Sequence, residues 1–492
     1  MVRDKSANEW QIGLLMRPLE TLLGRWSSGR GPLHLLLATR LRQLIDDGLL
    51  PPGAPIPPDR VLAKKLAIGR TTVVAAYEVL RQEGRIVRRQ GSGTRVAPAA
   101  LSSTRRAPDG GGRNPLFLHL LEPPDDVRLL TCAAPLAPPP QLIEAHANAL
   151  PRLAALSDDI GYHPAGIWSV RRAVAERYTR RGLPTRPEEI LVVTGAQQAL
   201  SLLARLLVAP GDSVVVEAPT YSGALDVFRD GAAALRPVPA GDVGAYTEAM
   251  DEYRPAITYL VPTFHNPTGS VLGRFERNAI VRTAKELDLV VIEDDVPAEL
   301  SFHDDEPPPL AAGGGENVIQ VGSLSKVVWG GFRIGWVRAA PALVNRLARL
   351  KAIHDLGSDT IAQLAAVELL PNLDEIRAER VARLREQHDH LCAELREHLP
   401  SWRFEPARGG QTLWVRLPSG DATSYAQVAL RHGVAVLPGV HFDPNGGSQD
   451  ALRVPFVYPK ADLSDAVRRL ARAWSSYSGG RGERDSLHAI VV

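Results

Sequence analysis

Val318-Ile319-Gln320-Val321-Gly322-Ser323-Leu324-Ser325-Lys326-Val327-Val328-Trp329-Gly330-Gly331-Phe332-Arg333 is the stretch on which the fold of this chain turns. It opens on a short, nearly continuous apolar run, the pattern of a strand covered on both faces. Two serines, a lysine, a Gly-Gly turn and an arginine follow at once. A lysine held at a strand end beside a cation such as Arg333 can be partly deprotonated, and a neutral amine is a nucleophile. Ser323, Ser325 and Arg333 can all take anionic oxygens. Working outward, further apolar strand candidates at 190–194, 213–217, 257–261 and 289–292 alternate with helical stretches at 197–208 and 276–287. Buried strands separated by helices predict a mostly parallel sheet with helices on both faces. Residues from about 341 to 477 are more helical and end in a second, smaller α/β unit, so residues 127–477 read as one α/β body with a small subdomain.

The ends of the other strands carry groups that complement Lys326. Gly195-Ala196-Gln197 lies where a strand turns into a helix, so its amides and the helix dipole favour an anion. Asp294 closes the apolar run 290–294. Asn266 sits in His265-Asn266-Pro267-Thr268-Gly269, and Tyr221 in Ala218-Pro219-Thr220-Tyr221. These groups fall at the carboxyl ends of parallel strands, where open α/β sheets bind ligands. Arg453, in Leu452-Arg453-Val454, is either a clamp for a substrate carboxylate or a member of a structural ion pair. Pyridoxal 5'-phosphate needs a lysine for its imine, an acid at the pyridine nitrogen, a donor to the phenolic oxygen, a ring-stacking partner and a phosphate cup. Lys326, Asp294, Asn266 and Tyr221 fill the first four places. Gly195, Ala196, Gln197, Ser323, Ser325 and Arg333 make the cup. Taken singly, each could be a surface charge or a turn residue; the ordered series carries the reading.

That series resembles a fold-type I aminotransferase over most of the body. The resemblance implies that Tyr162, in Gly161-Tyr162-His163-Pro164-Ala165-Gly166, reaches the cofactor phosphate of a partner subunit, and hence a homodimer. One departure stands out. Two and three positions after Asp294, where the family has a tyrosine that donates to the phenolic oxygen, this chain has Val296 and Pro297. Neither side chain is a donor, which predicts a cofactor that binds but transaminase turnover that is weak or absent.

Upstream the texture changes. Residues 10–26 read as a lead helix within 1–30. A helix follows at 32–48, then the turn Pro51-Pro52-Gly53, a second helix at 59–66 and a third at 70–83 with Val73, Val74, Tyr77 and Leu80 inward. Strands at 85–89 and 94–97 are joined by Gln90-Gly91-Ser92-Gly93. Helices across a tight turn followed by a Gly-tipped basic hairpin predict an α+β winged helix-turn-helix over 31–98. The third helix opens Arg70-Thr71-Thr72: arginine can fork onto a guanine edge, while threonine hydroxyls and helix amides take phosphates. Arg60, Arg85, Arg88 and Arg89 can reach neighbouring phosphates. The run Pro57-Pro58-Asp59-Arg60-Val61-Leu62-Ala63, with Gly69-Arg70-Thr71-Thr72-Val73, Ala76-Tyr77-Glu78-Val79-Leu80 and Gly91-Ser92-Gly93-Thr94, resembles the winged helix of GntR-type regulators. The resemblance places Arg60, Arg70, Thr71, Thr72 and Gly93 at double-stranded DNA. Pro58 and Gly69 stand where that family has serine. Residues 99–126, rich in Pro and Gly, read as a flexible linker, and 478–492 as a flexible tail.

Charge follows the same division. The 492 residues carry a net charge of +2, but residues 1–98 hold 16 Lys and Arg against 8 Asp and Glu, and the remainder 41 against 47. A basic head on an acidic body fits a head that meets a polyanion. Two cysteines provide neither a disulfide framework nor a metal cluster, and no metal site is expected. The opening Met-Val-Arg-Asp-Lys has no signal-peptide core and no stretch reaches about 18 apolar residues, so a cytoplasmic protein without a membrane span is expected. A GntR-like head on an aminotransferase-like body resembles the MocR family of pyridoxal-phosphate-dependent transcription regulators. That resemblance implies operator binding by the head and sensing of a small amine or amino acid through Lys326. The competing readings are a working aminotransferase with an accessory head, and a DNA-binding repressor with an inert body.

Overall fold

The computed structural model describes residues 32–46, 49–50, 53–83, 85–89, 93–97, 127–303, 307–315 and 317–487, with Leu19 and Leu23. The linker expected at 99–126 and the last five residues lie outside that set, as does the lead helix apart from Leu19 and Leu23. The chain divides into two units, Met1–Gly111 and Gly112–Val492.

The head is built from α1 (Leu33–Asp46), β1 (Pro55–Ile56), α2 (Asp59–Leu66), α3 (Arg70–Gln82), β2 (Ile86–Arg89) and β3 (Gly93–Val96). The strands form an antiparallel sheet in the order β1-β3-β2. Leu37, Leu41 and Leu44 of α1 pack with Leu62 of α2, Val73, Ala76 and Leu80 of α3, and Leu23. Val74 departs from expectation: it is 44% exposed, and Ala76 takes the inward place. At 100° per residue, positions 73, 76, 77 and 80 share a stripe, and 74 falls off its edge. The Tyr77 hydroxyl donates to the Pro57 carbonyl at 2.8 Å, fixing the turn that leads into α2.

The body opens with β4 (Arg128–Leu130), α4 (Pro140–Ala154) and α5 (Trp168–Arg180). Its main sheet is laid down by β5 (Ile190–Val193), α6 (Ala196–Leu207), β6 (Ser213–Ala218), α7 (Ser222–Asp230), β7 (Ala234–Pro239), α8 (Val243–Tyr253), β8 (Ile257–Leu260), α9 (Arg274–Glu286), β9 (Val291–Asp294), β10 (Val318–Ser323) and β11 (Gly335–Arg338). The order is β5-β11-β10-β9-β8-β6-β7, with β11 antiparallel to both neighbours and every other pair parallel. β7 was not anticipated. It carries Pro237 and Pro239, which an edge strand tolerates because one side of its ladder is open.

The remainder comprises α10 (Pro341–Asp355), α11 (Thr360–Leu369), α12 (Leu373–His398), β12 (Arg403–Phe404), β13 (Thr412–Arg416), α13 (Ala422–Arg431), β14 (Val434–Pro438), β15 (Ala451–Pro455) and α14 (Lys460–Leu487). A second sheet runs β12-β13-β15-β14-β4, with β4 parallel to β14 and the other pairs antiparallel. Three boundaries differ from expectation. β4 belongs to this smaller sheet although it precedes the main one, and three residues are too few to show a period in sequence. Val344 and Leu347 of α10 are buried in the main sheet's core, so the small subdomain begins after residue 341. α14 continues past 477 to Leu487, through Gly479 and Gly480. Glycine inside a helix costs about 1 kcal/mol and does not forbid it.

Candidate cofactor site and nucleic-acid interface

In the head, Gly69 caps α3 without a side-chain acceptor, so the first amides of α3 and the exposed Thr71 remain open to a phosphate. The Arg70 guanidinium donates through Nε to Asp59 Oδ2 at 2.9 Å and holds that carboxyl below its usual range. Arg70 is therefore tethered through Nε while its side chain stays 53% exposed. Arg60 is exposed, Thr72 half-buried, and Gly93 is exposed at φ +79° where β3 begins. Pro58 caps α2, also without a side-chain acceptor.

In the body, the sheet brings the expected residues to one edge. The chain leaves β5 through Thr194 and turns at Gly195, whose φ of +98° only glycine adopts readily. A Cβ there would stand 2.6 Å from Arg333 Nη2. Arg333 itself, at φ +54° beyond the 330–332 turn, donates to the carbonyls of Thr194 and Gly330. Ten and eight positions before it, Ser323 Oγ and Ser325 Oγ are 2.8 Å apart, and Ser323 Oγ also donates to Ile334 O at 3.1 Å. The open amides of Ala196 and Gln197, these hydroxyls and the guanidinium are all groups that can take an anion. Tyr221 caps α7 and donates from its hydroxyl to Gln197 Oε1 at 3.1 Å, which fixes its ring beside Gln197. Burial pushes the Tyr221 phenol up to about 12.

Asp294 ends β9, is 6% exposed, and accepts from the Tyr259 hydroxyl at 2.8 Å and the Val296 amide at 3.1 Å. Burial pushes its carboxyl up to about 6, against the pull of those two donors. Val296 and Pro297 occupy the turn after it. That turn is clamped by α5: Arg177 pairs with Glu299, and Arg181 donates to Asp295 at 2.9 Å. Asn266 stands beyond β8 in a loop pegged by Glu217. This carboxylate accepts from the Val261 amide at 2.8 Å and lies 3.1 Å from His265 Nε2. Asn266 Oδ1 accepts from Arg453 Nη1 at 3.5 Å.

Lys326 donates from Nζ to the Ala133 carbonyl at 2.5 Å. Burial holds its ammonium below the ordinary range; Arg453 and Arg380 add to that, and Asp294 opposes it. The sequence attributed this effect to Arg333. That guanidinium is instead turned onto the Thr194 carbonyl. Arg453 reaches the site from β15 of the smaller sheet, donates to the Thr131 carbonyl, and stacks over Phe442 at 4.8 Å. Its Nε is buried without a hydrogen-bond partner, and no carboxylate pairs with it among the described residues. Of the two readings left open for Arg453, a ligand clamp has the better support. Tyr162 is apart from the others, 61% exposed next to Gly161 at φ +79°.

These residues fit pyridoxal phosphate. A buried carboxylate without a directly bonded cation matches a protonated pyridine nitrogen, the anion-taking groups match a phosphate, and a buried amine completes the set. Sequence reasoning missed Tyr259, which lies inside an apolar strand and gives no polar signal. It also missed the Thr131 and Ala133 carbonyls, because backbone groups leave no trace in residue type.

Two family models match the chain: aminotransferase class I and II over residues 131–470, and bacterial regulatory proteins of the gntR family over 35–96. The uncharacterized HTH-type transcriptional regulator YisV of Bacillus subtilis is 30% identical, over 91% of this chain and 98% of its own. The probable rhizopine catabolism regulatory protein MocR of Rhizobium meliloti is 28% identical, over 81% and 87%. Among solved structures, LysN, the alpha-aminoadipate aminotransferase of Thermus thermophilus, complexed with N-(5'-phosphopyridoxyl)-L-leucine, superposes with a TM-score of 0.67. It is 31% identical and covers 73% of this chain and 94% of its own. The aminotransferase body, the gntR head and their order along one chain place this protein in the aminotransferase class I and II family and, within it, among the MocR-type regulators.

Proposed function

We propose that this chain regulates transcription: its head binds operator DNA, and its body holds pyridoxal 5'-phosphate at Lys326 and senses an amine or amino acid. The observation that carries the reading is that one chain pairs an exposed Arg70, tethered to Asp59 at the uncapped start of α3, with a Lys326 whose ammonium is held below its ordinary range near a buried Asp294. A reading as an enzyme with an accessory head has less support, since Val296 and Pro297 supply no donor to the phenolic oxygen. An inert body has less still, since Lys326, Asp294, Asn266 and Arg333 are all in place. The cytoplasm is the matching location; among the described residues no helix is long and apolar enough to cross a membrane.

The chain's residues divide the work. The α6 amides at Ala196 and Gln197, Ser323, Ser325 and Arg333 hold the phosphate, and Tyr221 stacks on the ring. Asp294, kept in register by Tyr259, accepts the pyridine N–H. Asn266 presents its amide to the phenolic oxygen, and Arg453 takes the ligand carboxylate. Bound there, the cofactor supplies an electrophilic carbon for an amine and an electron sink. Lys326 would hold the cofactor, and a ligand amine would compete with it for that place, so the body would have two states. A ligand that favours one of them shifts the population of body states only by its differential affinity for the two.

The test uses purified full-length protein. Wild type reconstituted with the vitamer absorbs in the visible, and one amine shifts the band; Lys326→Ala has no such band. On promoter DNA, binding weakens as salt rises, and Arg70→Ala loses about 1–3 kcal/mol of affinity. A colourless wild type overturns the sensing body. Rapid multiple turnover to a keto acid favours the enzyme, and Arg70→Ala with unchanged affinity removes that residue from the recognition set.

A further inference from the structure

We propose that the ligand pocket contains a second anion subsite, built from Arg380 and Gln411, so that the ligand is an amine bearing two negatively charged groups. The proposal rests on the reading of Lys326 and Arg453 given above and specifies what they receive.

The three carbonyls that follow β4 are each held by a side chain of the pocket. Thr131 O accepts from Arg453, Cys132 O from the Tyr458 hydroxyl at 3.2 Å, and Ala133 O from Lys326 Nζ at 2.5 Å. Ala133 O has a second donor. Gln411, buried just ahead of β13, satisfies both ends of its amide when the amide is assigned with its nitrogen toward Ala133 O, at 2.9 Å, and its oxygen toward Arg380 Nη2, at 3.1 Å. One glutamine and one carbonyl therefore link Arg380, in the first turns of α12, to the Lys326 amine.

Arg380 resembles Arg453 in what it lacks. Burial pushes both guanidiniums down to about 10, and Arg383 adds to the effect at Arg380. Each has a buried Nε without a hydrogen-bond partner. Neither forms an ion pair among the described residues. Arg453 is buried and Arg380 half-buried with its Nε shielded, and other buried or half-buried arginines of the same body are served differently: Arg177 has Glu299, Arg181 has Asp295 and Arg277 has Glu293. A buried charge is ordinarily paired, because desolvation is costly without a counter-charge. Two guanidiniums without carboxylates around one reactive amine leave a site with two positive charges to neutralise. Arg453 takes the carboxylate next to the amine-bearing carbon, and Arg380 the distal anion, for which a planar carboxylate suits its fork.

The experiment separates this subsite from the cofactor. Full-length protein stripped of cofactor is titrated calorimetrically with succinate, glutarate and adipate, and with butyrate, valerate and hexanoate as monoanions of the same lengths. At least one dicarboxylate is expected to bind about tenfold or more tightly than its monoanionic counterpart, and Arg380→Gln to bring the pair within about twofold. Gln411→Leu, which keeps every charge, is expected to reduce the preference partly, and it serves as the test should Arg380→Gln fail to fold. Equal binding of dicarboxylates and monocarboxylates by wild type overturns the subsite, as does a preference that survives in both variants. The reloaded protein is then given L-glutamate and L-2-aminoadipate beside L-glutamine and L-norleucine, with the visible band as readout. A dicarboxylate preference without any band shift would leave the subsite standing and overturn the cofactor reading. Shifts of equal midpoint for acidic and neutral amino acids would overturn the subsite alone.

Discussion

Asp294 is buried at a cost that only its ligand can relieve. Its carboxyl is pushed from 3.8 to about 6 by burial, so the folded protein binds that proton more tightly than the unfolded chain. The stabilising share of the protonated form is complete below pH 3.8 and is lost as pH rises through 6. Above that, the cofactor-free fold carries the full cost of an ionised, buried acid. Asp294→Asn removes the charge; its one amide oxygen can accept from the Val296 amide, and its NH2 can donate to the Tyr259 hydroxyl, which is able to accept. It is expected to stabilise the cofactor-free protein at pH 8 by up to about 3 kcal/mol, at about 1.4 kcal/mol per pKa unit, and to make no difference near pH 4. Denaturant unfolding at the two pH values measures this. A destabilised variant at pH 8 would mean that the charge is already compensated within the fold. The same substitution should weaken cofactor binding, since the pyridine nitrogen loses its counter-charge. Asp294 and Lys326 were both legible in the sequence because each is a polar residue at the end of an apolar run. Tyr259, which tunes Asp294, was not: its hydroxyl is one atom on a side chain that otherwise reads as core.

Strands of the main sheet announce themselves as unbroken apolar runs, and the α6 start as a glycine between a strand and a helix. The elements that hold those in place are harder to see, because their partners are far apart in the chain. α5 is rich in arginine, and Arg177, with Arg181 just past the helix end, reaches Glu299 and Asp295 across more than a hundred residues. That contact fixes the turn after Asp294, where side chains that could have held the cofactor are replaced by Val296 and Pro297. Surface ion pairs contribute little, but removing one partner of a buried pair strands the other charge. Arg177→Met is therefore expected to cost about 3–5 kcal/mol in denaturant unfolding, while Glu299→Gln in the same background should recover part of it. A loss below about 1 kcal/mol would show that Arg181, 3.8 Å from Glu299, or water compensates the carboxylate and that the turn does not depend on Arg177. β4 gives the opposite lesson. Three residues carry no period, and only the completed second sheet shows where Thr131, Cys132 and Ala133 come to lie.

At the scale of the whole chain, the charge division between a basic head and an acidic body was visible from composition, and the two units follow it. The proposed pairing of subunits is tested at Tyr162. An exposed tyrosine near exposed Ile160 and Trp168 is poorly suited to solvent, and in a homodimer it would complete the phosphate cup of the other subunit. Tyr162→Phe should then weaken cofactor binding by about 1.5–3 kcal/mol, the worth of one hydrogen bond to a charged group. Weakening alone does not say whose cup is served; mixing does. Lys326→Ala cannot form the visible band, and Tyr162→Phe forms it only at raised cofactor concentration. When the two variants are unfolded and refolded together, mixed dimers contain one cup with an intact Lys326 and an intact Tyr162 from the neighbour. The mixture is expected to regain a fraction of sites with wild-type affinity that neither variant has alone, and the fraction should follow the proportion of mixed dimers. If Tyr162 acted on its own subunit's phosphate, every mixed dimer would still lack a complete cup, and the titration would remain the sum of its two parents.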